Sequence, residues 1–462
     1  MSSSRSEVKA RGGKGRKGLE GKNGAAQPTA SRPKLRAVRS RRKVPVGDPM
    51  TLFIEIQNQA ERRPRLGTGR GVRRFNGGEH LWLGSRGATL ACQLVLDRLG
   101  FVDSTLFKSI KRLKSPEPLA YGEIVALSGD FYEEAEDLYE EKPSPVPWLY
   151  EGNDLSDLRE VFQGELAWIE KRHPGQSYPE NNVRLAWNAK LYLELALRNV
   201  DHFGWHNLRR YVAAHTEALA LAARAEGKEG PTFDRALYYN GFADHFLTDG
   251  FAAGHIRVPR QQIIEWGVRR KLSEKTSGAL SKLLHDQDGH VDQMHGAAPH
   301  VSGPDEGLPV KNSLGTEWHA RCDGQLFLDP GAAKSKGVQI AERAVAESVA
   351  ELLVAWKTGE LRKGVYAATR LVPFPSPKAP KLVEKFPGDA SEERVEALFE
   401  SMQWYLKLRC FGGVKKKHVR ELFQALPELM GEFNAFVETD AQDPEVQRRV
   451  AKEYIAAFSA LG

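Results

Sequence analysis

The sequence predicts an all-α protein, and three observations predict it. Apolar residues recur at helical spacing through successive segments, turn-rich stretches separate those segments, and no internal repeat or strand–turn–strand series interrupts them. Ordered structure is expected from about Pro49-Met50. Residues 67–78, GTGRGVRRFNGG, read as a glycine- and arginine-rich loop leading into a helix from His80 to Leu99, and residues 140–154, EEKPSPVPWLYEGND, as a second loop. Amphipathic helices follow over 155–171, 183–200 and 205–226. Pro231-Thr232 opens another that runs through Asp249, since proline suits the first turn of a helix. A loop-rich stretch, 289–331, precedes an alanine-rich helix over 332–358. LVPFPSPKAPK at 371–381 then reads as a stiff linker, and 382–462 as a small helical appendage to a principal domain over 49–370.

Charge is unevenly placed along the chain. The formal net charge is +7, yet residues 1–46 alone carry 14 Lys and Arg against Glu7 and Glu20, a balance of +12; the remainder, 53 basic against 58 acidic, is −5. That basic segment is rich in Ser and Gly with few large apolar residues, so residues 1–48 are expected to be a disordered arm able to attract nucleic acid or an anionic membrane by charge alone. The apolar fraction of 41% suffices for a large core, and no run of about 18 apolar residues is present to span a bilayer. No Sec-type apolar stretch precedes residue 49, which predicts a cytoplasmic protein or one exported by a non-classical route. Cys92, Cys322 and Cys410 are odd in number and far apart, which fits reduced thiols rather than a disulfide frame.

The chemistry-bearing run is Asp244-His245-Phe246-Leu247-Thr248-Asp249-Gly250-Phe251-Ala252-Ala253-Gly254-His255. His245 and Asp249 are four residues apart on a helix, so both project from one face, as two ligands of a shared ion must. A buried histidine bonded to a nearby carboxylate would explain that pair equally well. His255 follows six residues after Asp249, across two glycines that let the chain turn back toward the same centre.

The pattern H-x-x-x-D-x-x-x-x-x-H resembles the signature of the zinc-dependent phospholipase C and single-strand nuclease superfamily, an all-helical fold that holds up to three zinc ions. Three further motifs appear in family order: His80-Leu81-Trp82, which is similar to the early His-Leu-Trp of the bacterial phospholipase C branch; Gly129-Asp130-Phe131, similar to the family's early aspartate; and His202-Phe203, before the core helix pair. The resemblance implies zinc ligands at His80, Asp130, His202, His245, Asp249, His255 and His285, with Asp249 bridging two ions and Asp130 orienting or deprotonating the attacking water. It implies hydrolysis of phosphate esters on two or three zinc ions, with phospholipid at a membrane surface as the expected substrate and nucleic acid as the alternative. A non-catalytic zinc-stabilised binding protein is a third class.

The chain departs from the family pattern twice. His285 needs a carboxylate four residues on, where Gly289 stands; Asp288 is the expected substitute, with Asp286 behind it, and His290, His295 and His300 are read as loop histidines. The family's processed N-terminal ligand is also missing, which leaves a new terminus near residues 67–71, Glu79 or water to complete the ion at His80, or only two ions. Trp82, Phe131, Phe203 and Trp205 are candidates to line the mouth of the site.

Overall fold

The computed structural model describes residues 77–140, 155–171, 195–196, 199–288, 307–323, 325–327, 335–361, 366–402, 404–408 and 412–440, all within the compact unit Gly69–Gly462. The basic arm, most of the 67–78 loop and of the 183–200 helix, residues 141–154, Cys410, and His290, His295 and His300 lie outside the described residues.

The all-α expectation holds. In chain order the principal helices are α1 (Gly77–Leu94), α2 (Tyr121–Leu127), α3 (Ala135–Glu140), α4 (Leu155–Lys171), α5 (Trp205–Arg224), α6 (Pro231–Asp249), α7 (Ala253–Arg257), α8 (Arg260–Arg269) and α9 (Glu274–Asp288). Strands β1 (Leu308–Lys311) and β2 (Glu317–Ala320), helix α10 (Lys336–Thr358), strand β3 (Phe374–Pro375), and helices α11 (Glu392–Ser401) and α12 (Lys416–Asp440) complete the order. No helix among the described residues is long and apolar enough to cross a membrane.

Local chemistry explains the main elements. Pro231 occupies the first turn of α6, where its missing N–H costs nothing. Helix α10 is capped by Ser335, whose side chain accepts from the Val338 N–H, and is closed by Gly359 in the left-handed region. Its buried positions, Val338, Ala341, Val345, Val349, Leu352 and Trp356, repeat every three or four residues and lay one face on α1 and α5. Helix α6 is buried on nearly all sides, which is why its sequence is weakly amphipathic; α5 is its most extensive partner.

A buried polar network ties these helices together. The Tyr121 hydroxyl donates to Asp244 at 2.6 Å, Asn240 donates to the Tyr121 oxygen at 2.7 Å, and His215 stands 2.6 Å from Asn240 Oδ1 and 3.1 Å from Glu351. Burial pushes the Asp244 carboxyl up to about 7 against the hydrogen bonds that favour its charge. Asp244 thus belongs to the frame, although it opens the chemistry-bearing run.

Two expectations are corrected here. Part of the presumed loop over 289–331 is a small antiparallel sheet of order β2-β1-β3, with Leu308 opposite Ala320 and Val310 opposite both Trp318 and Pro375. The sequence concealed it because its strands are two to four residues long and two of them carry proline. The stretch 371–381 is not a spacer: Phe374 pairs with Lys311, Val372 and Phe374 are buried, and the Pro380 carbonyl accepts from Arg257 at 2.6 Å. The chain beyond it packs back onto the helices, with α12 against α8 and α9 and with a Trp205–Asp440 hydrogen bond joining its far end to α5.

Candidate metal centre

Four helices and two turns deliver side chains to one point. His80 sits in the first turn of α1, His245 and Asp249 on the last turns of α6, His255 in α7 and His285 near the end of α9, while His202 and Asp130 come from the turns preceding α5 and following α2. The polypeptide must pass close by for this to work. A Cβ on Gly129 would stand 2.5 Å from His245 Nε2 and 2.9 Å from His202 Nε2, at a backbone φ of +69°; a Cβ on Gly254 would stand 2.4 Å from His285 Cδ2. Both positions accept only glycine.

Four overlapping triads form, with the three ligand atoms of each within 4.8 Å of one another: His80, His245 and Asp249; Asp130, His202 and His245; His202, Asp249 and His255; and His255, His285 and Asp323. His80 Nε2 and His245 Nε2 lie 3.6 and 3.7 Å from Asp249, and His202 Nδ1 lies 2.7 Å from it. His255 Nε2 and His285 Nε2 lie 3.3 and 2.8 Å from Asp323. Two ligands held at about 2.0–2.2 Å by a tetrahedral ion stand about 3.4 Å apart, so the wider spacings suit donors that share an ion.

Ring orientation is fixed from behind. His80 Nδ1 donates to Thr248 Oγ1 at 2.8 Å, the threonine hydroxyl being itself a donor to the Asp244 and His245 carbonyls. His245 Nδ1 donates to the Val125 carbonyl at 3.0 Å, His255 Nδ1 to the His202 carbonyl at 2.7 Å, and His285 Nδ1 to Asp286 at 2.8 Å. In His80, His245 and His285 the bond places the proton on Nδ1 and turns a lone pair on Nε2 toward Asp249 or Asp323, the tautomer a metal ligand requires, while His255 Nε2 is hydrogen-bonded to Asp323. Among the described residues, His245 Nε2 and Asp323 Oδ1 are buried without a hydrogen-bond partner, so the donor set fits a cation.

The electrostatics agree. Burial drives His245 down to about 3 against the pull of Asp249, and burial likewise holds His80 well below its ordinary range, so both imidazoles stay neutral. Burial raises the Asp249 carboxyl despite the flanking histidines. Burial would also raise Asp323, but His285 and His255 outweigh it and hold that carboxyl low; the same two aspartates lift His255 to about 9 against burial. Neutral His80 and His245 beside buried carboxylates fit the protonation pattern that divalent cations select, while a cation at Asp323 would take the place of the proton that His255 holds.

Seven of the eight sequence-predicted ligands gather here, and Asp288 does not. Asp288 accepts from Arg257 Nε at 2.9 Å and Nη2 at 2.7 Å, with Lys385 Nζ 3.7 Å away. Burial opposes its charge, and the Arg257 guanidinium overcomes it. The residue missed is Asp323, delivered three positions after β2 and anchored by the Ala253 N–H, which donates to the Arg321 carbonyl at 2.9 Å. No spacing signal links it to His285, 38 residues earlier in the sequence. Asp286, the second choice, supports His285 from behind instead. Glu79 is outside the described triads and accepts from the Leu326 N–H at 3.1 Å. Of the four candidate mouth aromatics only Phe203 lines the pocket at the cluster; Trp205 and Phe131 are core, and Trp82 donates to Glu342.

No family model, curated protein or solved structure matches this chain.

The glycine contacts give a direct test. Gly129→Ala is expected to destabilise the fold by about 1–3 kcal/mol through over-packing, with strain at positive φ added, and to lower metal content because the methyl displaces His245 and His202. Urea midpoints and metal per chain measure both effects; an alanine variant with wild-type values in each would contradict the close approach.

Proposed function

We propose that this chain is a zinc-dependent phosphodiester hydrolase of the phospholipase C type, acting on phospholipid. The observation that carries the reading is the set of four histidines, each tied through Nδ1 so that Nε2 faces Asp249 or Asp323. What supports cation binding is that Asp249 and Asp323 are each faced by the Nε2 atoms of two of these rings, so that imidazoles converge on shared carboxylates as ligands of shared ions do. Bound zinc would supply charge neutralisation for phosphoryl oxygens and a coordinated water acidified toward a pKa of about 7.

The protein's own groups supply the rest. Asp249 and Asp323 hold the ligand clusters a few ångströms apart, and Asp130, half-buried at the pocket wall, is placed to orient the attacking water and take its proton. Single-stranded nucleic acid is the second substrate class; the basic character of residues 1–48 would attract it or an anionic membrane alike.

A zinc count on purified protein, followed by hydrolysis of phospholipid vesicles and of single-stranded DNA, tests the reading. Two or three zinc ions per chain are expected, with lipid cleavage in the wild type and a loss of about 100-fold or more in Asp130→Asn. DNA cleavage alone would favour the nuclease; equal behaviour of wild type and Asp130→Asn on both substrates would remove the proposed mechanism, and one tight ion or none would favour a binding protein.

A further inference from the structure

The small sheet and the start of α10 border a second cavity, of about 490 Å³, which shares no lining residue with the pocket at the metal centre. That size suits a small organic ligand. Its floor is apolar, built from Phe251 after α6, Val310 of β1, Trp318 and Ala320 of β2, and Leu326; Phe251 stacks on Trp318 with ring centroids 6.5 Å apart. Three N–H donors meet at one end of it. Helix α10 is 23 residues long, and its first two N–H groups, on Lys336 and Gly337, have no hydrogen-bond partner among the described residues, since the Ser335 side chain takes the Val338 N–H instead. Trp318 supplies the third donor: the residue is only 8% exposed, and its Nε1–H also has no hydrogen-bond partner among the described residues. That edge of the indole lies against the helix start, because a Cβ on Gly337 would stand 3.3 Å from Trp318 Cδ1 and 3.4 Å from Nε1.

We infer that this cavity binds a small organic anion with an apolar body. The charged head sits at the first turn of α10, on the Lys336 and Gly337 N–H groups and the Trp318 indole N–H, and the body lies over Phe251, Val310 and Trp318. Charge favours this occupant. The lining carries Arg321, Lys336 and Lys378 against one carboxylate, Glu317. Lys378 pairs with Glu317 at 2.8 Å, whereas Lys336 Nζ donates to the Glu317 main-chain carbonyl at 2.9 Å and makes no ion pair among the described residues. The dipole of α10 places further positive potential at the same end, where phosphate, sulfonate or carboxylate oxygens are accepted by exposed N–H groups. A bare inorganic anion would leave the apolar floor to water, and a neutral ring would leave the three donors without an acceptor, so tight binding needs both parts in one molecule. None of the lining residues belongs to the metal cluster, so the inference stands apart from the hydrolase reading.

Calorimetry on the full chain with 2-naphthalenesulfonate, which has no ester to hydrolyse, and with its neutral sulfonamide tests the site. One sulfonate per chain is expected, bound at least about tenfold more tightly than the sulfonamide and than inorganic sulfate. Trp318→Phe, which keeps a ring and loses the N–H, should weaken the sulfonate by about tenfold, and Lys336→Gln by about threefold or more, with Lys336→Arg restoring most of the loss. Lys336 is exposed, so its variants keep the test decisive even where Trp318→Phe fails to fold. Equal affinities for sulfonate and sulfonamide overturn the inference. A sulfonate affinity unchanged in both Lys336→Gln and Trp318→Phe overturns it too, and places the anion elsewhere on the chain.

Discussion

Asp323→Asn will cost the protein a bound metal ion, and Asp288→Asn will not. Asp323 is the carboxylate that His255 and His285 share, so replacing it with a neutral amide removes an anionic ligand from two imidazoles and weakens the ion there by at least about 10–100-fold, the range found when even supporting partners of metal ligands are lost. The fold itself should tolerate the change, since asparagine is nearly isosteric. Asp288→Asn has the opposite signature. It leaves Arg257 buried without its carboxylate, beside Lys385, and should destabilise the protein by about 3–5 kcal/mol with the metal count intact while folded. Atomic emission on the two variants, paired with urea unfolding, reads both effects. Loss of metal from Asp288→Asn together with full retention by Asp323→Asn would return the ligand role to Asp288.

Chelation of the wild type will lower its unfolding temperature steeply. A ligand that binds only the folded state at about a thousand times its dissociation constant contributes about 4 kcal/mol per site, and a unit of the size of Gly69–Gly462, at about 2.1 cal/mol/K per residue, loses about 1 °C for each kcal/mol. Removing a single ion should therefore cost about 5 °C, and removing two about 10 °C. The physical source is the burial of Asp249 and Asp323 among five imidazoles: without cations, Asp249 is pushed toward its protonated form, His255 must hold a proton, and His245 Nε2 is left in the interior with no hydrogen-bond partner among the described residues. Scanning calorimetry before and after chelation, with zinc added back, measures the shift. Superimposable thermograms would show that this cluster holds no ion.

Much of the fold and most of the candidate site were legible in the sequence, for reasons that differ from residue to residue. The helix over 155–171 matches α4 from end to end, and Pro231 through Asp249 matches α6, because proline and glycine punctuate both ends of the latter and apolar periodicity fills the former. His245 and Asp249 could be paired from their spacing because a helix turns a four-residue interval into a shared face. His80, Asp130 and His202 carried no spacing signal toward that pair and were found through the order of motifs. Their convergence is made by the packing of α1, α2 and α5 around α6.

What the sequence by itself determined is the set of local elements and those ligands whose chemistry is encoded within one turn or one ordered motif: the helices, the His245–Asp249 face, and the glycines that let the chain come close. The tertiary structure decided which carboxylate serves His285. Asp288 is near in sequence, but a helix directs residues three positions apart with a rotation between them, and Arg257 and Lys385 claim its oxygens. Asp323 is distant along the chain and is brought in by a sheet too short to announce itself, anchored on α7. Local interactions fix where a side chain points along its own element; only the packing of elements fixes what it meets, because the contacts that decide it are paid for by burial across the whole core.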